Sequence, residues 1–346
     1  MRFEFYHAGL ESVPKLSIDG TVENSLHFSH WRGNQTPAAL KADTSTEIAL
    51  NLVGSANYLE LTEGIELITN NHFDTDGLLS VWTVLAGERA LDLRGPLVAA
   101  AEAGDFSEYS TDDGVRANIV IQGSDLVVPD EKEGSPLAAL RAGESVTDEA
   151  RAYELTLPEV ERVLTRTDDY EPLWRDEWRR IAAGLESFAR GASRVDEERD
   201  SRLSIVTLAP DLFGAQGFNP ARDAAPYTAI SHHARGQLYL IQTPLNDGWS
   251  YRVDYPYYSW AETITRPPVL RRDFTRLIER LNASETSGEG RWQLDDGELA
   301  SALKFMDESG RLAASRLAPE RVTDELRAAL SETEGVASEA SGASSL

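Results

Sequence analysis

Residues 65–85 read IELITNNHFDTDGLLSVWTVL, and this stretch decides the fold. Residues 66–69 predict a short buried strand, and residues 78–85 predict a helix that is apolar on nearly every side. Three polar side chains are expected on the loop between these two elements: His72, Asp74 and Asp76. Open α/β sheets bind ligands at the carboxyl ends of their strands, because the loops converge there and the next helix offers free N–H groups. The stretch therefore predicts an α/β domain with a ligand site at this loop.

The pattern His-x-Asp-x-Asp-Gly indicates the chemistry of that site. It places an imidazole and two carboxylates within one turn, and such donors suit a hard divalent cation such as Mn2+ or Mg2+. Gly77 permits the tight exit from the turn into the helix. We predict that His72, Asp74 and Asp76 are both metal ligands and catalytic residues.

Residues 72–80, HFDTDGLLS, resemble the first motif of the DHH phosphoesterases, whose exonuclease members bind catalytic Mn2+ with a D-x-D-x-D-G turn after a strand. The resemblance covers about twenty residues. It implies that His72 stands in place of the first acid, that Asp74 and Asp76 are the metal-binding pair, and that metal-activated water attacks phosphorus. The family's Asp-His-His motif is not found where it is expected. The paired histidines, His232 and His233, follow Ser231 far downstream.

Other polar side chains are candidates for the same site. Three of them are predicted as additional metal ligands because they follow predicted elements: His30 after a strand, Asp105 after the helix 94–103, and His232 at the end of a strand 227–233. Three more are predicted to bind substrate, the arginines through phosphate oxygens: Arg32, Arg235 and Ser80. A hydrogen-bonded structural histidine and an ordinary turn aspartate are the alternatives for His30 and Asp105.

Three other interpretations of the turn compete with the DHH resemblance. FDTDGLL is similar to the FDxDGT of haloacid-dehalogenase-type phosphatases, although polar residues interrupt the strand and Leu78 replaces the Thr or Ser of that family. A calcium loop of the EF-hand type requires Glu at its twelfth position, and counting from His72 that position is Thr83. In the third interpretation Asp74 and Asp76 only form a turn and cap the helix.

Composition limits the classes of function. The chain has 58 acidic and 33 basic residues and a net charge of -25, so it is not expected to attract duplex nucleic acid or anionic lipid. Cysteine is absent, which excludes disulfides, thiolate metal sites and cysteine nucleophiles. The sequence has no P-loop or dinucleotide fingerprint, no apolar run long enough to cross a membrane and no secretion signal, so we expect a cytoplasmic protein.

The predicted class is α/β, with an N-terminal sheet and flanking helices plus an α+β C-terminal domain. The expected boundaries are 1–123 for the α/β domain with the metal site, 124–200 for a connector and helical segment, 201–331 for the α+β domain, and 332–346 for a disordered tail. Within these domains the sequence predicts a helix that starts at Thr36-Pro37 and a strand at residues 117–122, ANIVIQ.

Together these features predict a metal-dependent hydrolase, and more specifically a phosphoesterase that acts on a small or single-stranded phosphorylated substrate with Mn2+ or Mg2+. A homodimer is a candidate assembly. The alternative from another functional class is a non-catalytic α/β protein that binds a protein or small-molecule partner through the aromatic residues of its C-terminal sheet.

Overall fold

A computed structural model describes residues 1–123, 134–210, 212, 225–294 and 300–342, with side chains described up to residue 331. The chain divides into two compact units. The first unit contains Met1–Arg179 and Trp260–Pro268, and the second contains Arg180–Ser259 and the chain from Val269 onward. Residues 124–133 of the predicted connector lie outside the described residues.

The first unit contains a four-stranded parallel sheet. Its strands are β1 (Arg2–Phe3), β2 (Lys15–Ile18), β3 (Leu26–Phe28) and β4 (Leu67–Thr69). The spatial order is β1-β4-β2-β3, and every neighbouring pair is parallel. β2 is buried along its whole length and β4 likewise, as the apolar run at residues 66–69 predicts. The carboxyl ends of β4, β2 and β3 therefore lie side by side.

Helices pack around this sheet. Those of the first unit are α1 (Ser45–Val53), α2 (Tyr58–Leu61), α3 (Thr75–Ala86), α4 (Arg94–Phe106), α5 (Asp112–Gln122), α6 (Pro136–Ala142), α7 (Glu149–Thr156) and α8 (Val160–Thr165), and α9 (Glu171–Ala189) contains the boundary to the second unit. α1 packs on α3, and α3 packs on α4. The side chains of α3 from Leu78 to Val84 are all buried, which agrees with a helix that is apolar on nearly every side.

Two predicted elements of the first unit are wrong. The helix expected from Thr36-Pro37 begins at Ser45, because Thr44 forms a capping box with Glu47 while the Thr36 hydroxyl bonds the backbone of Ser29. The strand expected at residues 117–122 is the second half of helix α5. Thr111 caps this helix, and acidic residues fill its first turn.

The second unit contains a six-stranded mixed sheet. Its strands are β5 (Arg194–Glu198), β6 (Leu203–Thr207), β7 (Leu238–Leu245), β8 (Gly248–Asp254), β9 (Arg291–Leu294) and β10 (Ser301–Met306), in the order β5-β6-β7-β8-β10-β9. β6 and β7 are parallel, and the other pairs are antiparallel. With the parallel sheet of the first unit, this confirms the α/β class and its two-part layout.

Three helices of the second unit are α10 (Tyr227–His233), α11 (Thr275–Ser284) and α12 (Pro319–Gly342). Both faces of the mixed sheet carry apolar clusters: α11 and α12 cover one, and α10 packs on the other through Ala229 and Ile230. The prediction of a strand at residues 227–233 is therefore wrong, since this segment covers the sheet and does not extend it.

The last helix extends to Gly342, into the segment predicted as a tail, and residues 343–346 lie outside the described part of the chain. Among the helices that the structure describes, none is both long enough and apolar enough to cross a membrane.

Candidate metal centre

Three neighbouring strands each deliver a polar side chain at their carboxyl end. Asp19 directly follows β2, His30 lies two residues after β3, and His72 lies three residues after β4. Because β4, β2 and β3 are adjacent and parallel, these side chains meet at one edge of the sheet. Sheet order, and not proximity in sequence, brings them together.

Two helices add three carboxylates. Asp74 is the N-cap of α3, and one of its oxygens accepts a hydrogen bond from the Gly77 amide at 2.7 Å. Asp76 lies in the first turn of the same helix, and Asp105 lies in the last turn of α4. The sequence placed Asp76 on the loop and Asp105 beyond its helix, and both placements are wrong by a few residues because each helix is longer than predicted.

A first group forms around His30 and consists of Asp19, His30, Asp76 and Asp105. His30 Nε2 lies 3.1 Å from Asp105 Oδ2, 3.7 Å from Asp19 Oδ1 and 3.8 Å from Asp76 Oδ2. The potential ligand atoms all lie within 4.8 Å of one another. The three distances from His30 Nε2 are shorter than the roughly 4.2 Å that separates opposite ligands of a cation bound at about 2.1 Å.

A second group forms around His72 and shares one residue with the first. His72 Nε2 lies 2.9 Å from Asp19 Oδ2 and 3.0 Å from Asp74 Oδ2. Asp19 therefore directs one oxygen at each group. Its backbone has a φ of 67°, in the left-handed region that an aspartate adopts less readily than glycine. Such a conformation is frequent at functional sites.

Neighbouring polar groups orient these ligands. His30 Nδ1 lies 2.7 Å from the Asp43 carbonyl oxygen, which can only accept, so Nδ1 carries the proton and Nε2 of the neutral ring is left as a lone-pair donor. The two oxygens of Asp76 accept from the amides of Ser45 and Thr46 at the start of α1, at 2.7 and 2.8 Å. These contacts fix the directions in which the imidazole and the carboxylate point.

Helix α5 fixes the turn that carries Asp74 and Asp76. The Thr75 amide donates to Gln122 Oε1 at 2.9 Å, and the Thr75 hydroxyl donates to Asn118 Oδ1 at 2.6 Å. Asn118 and Gln122 are four residues apart, so the helix places them on one face about 6 Å from each other, whereas a strand would separate them by about 13 Å. The helical state of this segment is thus part of the geometry of the site.

The electrostatics of the two groups favour a positive charge. Burial disfavours the charged form of His30, but Asp105, Asp76 and Asp19 outweigh that effect and raise its pKa to about 10. Burial opposes the charge of His72 as well, yet Asp74 and Asp19 raise its pKa to about 12. Burial and the charge of Asp19 raise the pKa of Asp76 to about 7.

The pKa values of Asp105 and Asp19 are shifted in opposite directions. Burial and the nearby charge of Asp76 raise the pKa of Asp105 well above its usual range. Burial also acts to raise the pKa of Asp19, but contact with His72 and the charge of His30 lower it below the usual range. The carboxylates repel one another and hold protons on the imidazoles, so this group of side chains favours added positive charge.

The donor set fits a divalent cation. Three buried atoms at the centre make no hydrogen bond of acceptable angle: His30 Nε2, Asp19 Oδ2 and His72 Nε2. Buried polar atoms are almost always hydrogen-bonded, so these three atoms are available as ligands of a cation. Imidazole nitrogen and carboxylate oxygen together suit Mn2+, Mg2+ or a similar ion.

The structure brings together five of the residues predicted as metal ligands. His72 and Asp74 fall in one group, and His30, Asp76 and Asp105 fall in the other. The sixth, His232, lies on α10 of the second unit, and the ring of the adjacent His233 stacks on Phe188.

The predicted substrate-binding residues are more scattered. Arg32 is exposed on the loop after β3, two residues from His30, and Arg235 is exposed in the second unit. Ser80 is fully buried, and its hydroxyl donates to the Gly77 carbonyl at 2.9 Å, so it serves the helix backbone.

Asp19 is the candidate ligand that sequence reasoning missed. Asp19-Gly20 directly follows β2, and an Asp-Gly pair is ordinarily a turn signal. A Cβ on Gly20 would collide with the side chains of Asn70 and Asn71 at the end of β4. The glycine thus allows the loops after β2 and β4 to approach closely, and a strand followed by Asp-Gly was the available signal.

No curated protein matches the sequence. Among solved structures, the chain is similar to a pGpG-specific phosphodiesterase, PggH from Vibrio cholerae, with 10% sequence identity and a TM-score of 0.33 over 93% of this chain and 83% of that chain. Similarity at this level carries no argument about function. The model of DUF6687, described as a family of unknown function, matches residues 2–340. On this match over nearly the whole length, the chain belongs to the DUF6687 family.

Proposed function

We propose that the chain is a metal-dependent hydrolase that cleaves phosphoester bonds at the centre formed by Asp19, His30, His72, Asp74, Asp76 and Asp105. The observation that supports this most directly is Asp19, whose two carboxylate oxygens face separate groups of ligands. In two-metal hydrolases the ions lie about 3.5–4 Å apart, a separation that one bridging carboxylate can span.

In this proposal the side chains of the centre bind cations and accept a proton. A divalent cation bound here would lower the pKa of water and neutralise charge on the phosphoryl oxygens. His30 and Asp105 would hold one cation, and His72 and Asp74 would hold a second. Asp76 belongs to the first group, and burial and the charge of Asp19 raise its pKa to about 7, so its carboxylate can accept a proton near neutral pH.

A purely structural role is the main alternative. Asp74 caps α3, and Asp76 binds the first amides of α1, as ordinary capping residues do. Capping explains these two residues. It does not explain the buried Nε2 atoms of His30 and His72 or a carboxylate at Asp105. The cation proposal accounts for all five residues.

The substrate we propose is a small phosphorylated molecule or a short single strand. The net charge of -25 repels polyanions, and a long duplex would bring one phosphate charge for about every 1.7 Å of its axis. A small phosphoester brings little charge, which bound cations and a few arginines can balance. Arg32 is the arginine in the first unit that lies nearest to His30 in sequence.

The test combines metal analysis with turnover. Protein freed of metal with EDTA would be titrated with Mn2+ by calorimetry and assayed on bis(p-nitrophenyl) phosphate. We expect Mn2+ binding and Mn2+-dependent hydrolysis, both lost in Asp19→Asn, since Asn retains the acceptor for the Ser45 hydroxyl but not the charge. Asp176→Asn, at an exposed acid on α9, is the matched control. Absence of Mn2+ binding in the native chain would refute the proposal, and binding without turnover would leave a non-catalytic metal protein.

A further inference from the structure

A segment distant in sequence lies against the first group of ligands. Residues 260–268, which we call the clasp, belong to the first unit although the residues on both sides of it belong to the second. The ring of Trp260 packs edge-on against His30, with 4.9 Å between centroids. The Glu262 amide donates to the His30 carbonyl at 2.7 Å. The clasp therefore contacts both the side chain and the backbone of one candidate ligand.

Asp43 connects the clasp to the same histidine. Its carboxylate is buried and accepts hydrogen bonds from the Ile264 amide, from the amide and hydroxyl of Thr265, and from Arg266 Nη1 at 2.6 Å. Its backbone carbonyl accepts the proton of His30 Nδ1. One residue thus holds the clasp with its side chain and orients His30 with its main chain.

Arg266 extends the connection to the other side of the ligand group. Its Nε donates to Glu108 at 2.9 Å, and its Nη2 donates to Glu102 at 2.8 Å. Its guanidinium also stacks on the Phe106 ring, 4.7 Å from the centroid. Glu102 and Phe106 lie on the last turns of α4, on either side of Asp105 in sequence.

The guanidinium of Arg266 therefore joins Asp43, which orients His30, to the end of α4, which contains Asp105. The ligand atoms of His30 and Asp105 lie 3.1 Å apart. Three carboxylates surround the guanidinium, those of Asp43, Glu102 and Glu108, and without Arg266 they would repel one another. The planar fork of arginine reaches all three at once, which the single ammonium of lysine does not. Loss of this contact would let the end of α4 and the Asp43 turn move apart.

We propose that Arg266 is a positioning residue for the cation held by His30 and Asp105, an inference that rests on the proposed metal centre. The clasp fixes the distance between His30 and Asp105, whereas other contacts hold His72 and Asp74. Removal of Arg266 should weaken one cation site and leave the other intact.

The experiment is a titration of metal-free protein with Mn2+ alone, followed by calorimetry and by electron paramagnetic resonance of the bound ion. In Arg266→Gln we expect one of the two affinities to fall about 10- to 100-fold, as for other residues that orient metal ligands, while the second stays within about threefold of native. Arg266→Lys should recover part of the loss, since it keeps the charge. Glu108→Gln removes the charge of one carboxylate that contacts Arg266, so it should lower the Mn2+ affinity of the same site by a smaller factor. This variant serves as the test if Arg266→Gln does not fold.

Arg116→Gln is the matched control, because Arg116 is also a largely buried arginine of the first unit and stacks between Trp174 and Trp178. It should lower the melting temperature without changing either Mn2+ affinity. Native-like binding of both ions in Arg266→Gln, or in Glu108→Gln where the first does not fold, would overturn the inference and leave the metal centre standing. An equal fall at both sites would overturn it too. A native chain that binds no Mn2+ would remove the proposed function itself.

Discussion

The surroundings of the Asp105 carboxyl group favour a bound cation. The carboxyl group is buried, and the charge of Asp76 acts with that burial to raise its pKa. In Asp105→Asn we expect the affinity for Mn2+ to fall at least about 100-fold, since a ligand itself is removed. We expect the melting temperature of the metal-free protein to stay level or to rise, because Asn removes a buried carboxyl group whose charged form the neighbouring acids disfavour.

Calorimetry and thermal unfolding in EDTA measure these two effects separately. Asp176→Asn, at an exposed residue on α9, should change neither quantity. A variant at Asp105 that melts several degrees lower and binds Mn2+ normally would show that the carboxyl group supports the fold and not a cation.

The two histidines make cation binding depend on pH. Neighbouring carboxylates outweigh burial and raise the pKa of His30 to about 10 and that of His72 to about 12, so both rings are protonated at neutral pH in the metal-free protein. A cation requires the unprotonated nitrogen, and binding must release these protons. We expect the Mn2+ affinity to rise between about pH 6.5 and about pH 9, up to tenfold per unit for each proton released.

Calorimetry in two buffers with different ionisation enthalpies counts the protons. The sign of the effect is fixed by the direction of the pKa shifts. A raised pKa means that the protonated ring stabilises the metal-free fold at low pH, and this contribution disappears as the pH rises through about 10. An affinity that is flat or falls over the same range, without proton release, would place the imidazoles outside the coordination sphere.

Residue types and local spacing predicted part of the site. His-x-Asp-x-Asp-Gly pointed to His72, Asp74 and Asp76, because the three lie in one turn between a strand and a helix. Asp19 was missed since Asp-Gly most often forms a plain turn. Its place in the candidate site depends on β2 lying between β4 and β3, and this order is set by contacts across the chain that no local pattern predicts.

At the scale of single elements, the start of α3 depends on Gly77. A Cβ at this position would lie 2.6 Å from Asn70 Nδ2 and 2.9 Å from both Asp74 Oδ1 and the Tyr153 hydroxyl. Ala normally stabilises a helix by up to about 1 kcal/mol relative to Gly. In Gly77→Ala we expect the opposite sign, a loss of about 1–3 kcal/mol from overpacking, together with weaker Mn2+ binding because Asp74 is displaced.

Gly95→Ala provides the comparison within the same unit. Gly95 lies in the first turn of α4, and no atom stands within 4 Å of the position its Cβ would take. Urea unfolding should show this variant to be as stable as the native protein or slightly more stable. Equal effects of the two substitutions would mean that α3 does not need the close approach of Asn70 and Tyr153.

Elements were predicted best where length and pattern agreed. The strand and helix around His72 were found because a short apolar run precedes a longer one with polar residues between them. The segment 117–122, ANIVIQ, was misassigned because a short and mostly apolar segment fits a buried strand and a buried helix equally well. The upstream Thr111 and its two following acids were the signal for a helix start, and they decide the matter in the structure.

At the scale of the whole molecule, the division of the chain is only partly visible in its sequence. The change of character after residue 123 suggested a second region, but nothing in residues 260–268, WAETITRPP, indicates that they belong to the first unit. The hydrogen bond between the Thr265 amide and Asp43 joins positions 222 residues apart. Contacts of such separation depend on the completed fold.

The net charge of -25 predicts how the whole molecule responds to salt. Excess like charge destabilises the compact state through repulsion, and ions screen it: the Debye length is about 10 Å at 0.1 M salt and about 3 Å at 1 M. Salt also weakens the favourable ion pairs, but most of those described are exposed, and such pairs contribute about 0–1 kcal/mol each. We therefore expect the melting temperature of the EDTA-treated protein to rise by several degrees as KCl increases from about 0.05 M to about 1 M.

The shape of the curve separates screening from other effects of salt. Screening changes fastest at low concentration, so most of the rise should occur below about 0.3 M, and NaCl should act like KCl. Thermal unfolding followed by circular dichroism at a series of concentrations measures this directly. A melting temperature that falls with salt would mean that ion pairs, such as those of Arg266 with Asp43, Glu102 and Glu108, outweigh the repulsion among the 58 acidic residues.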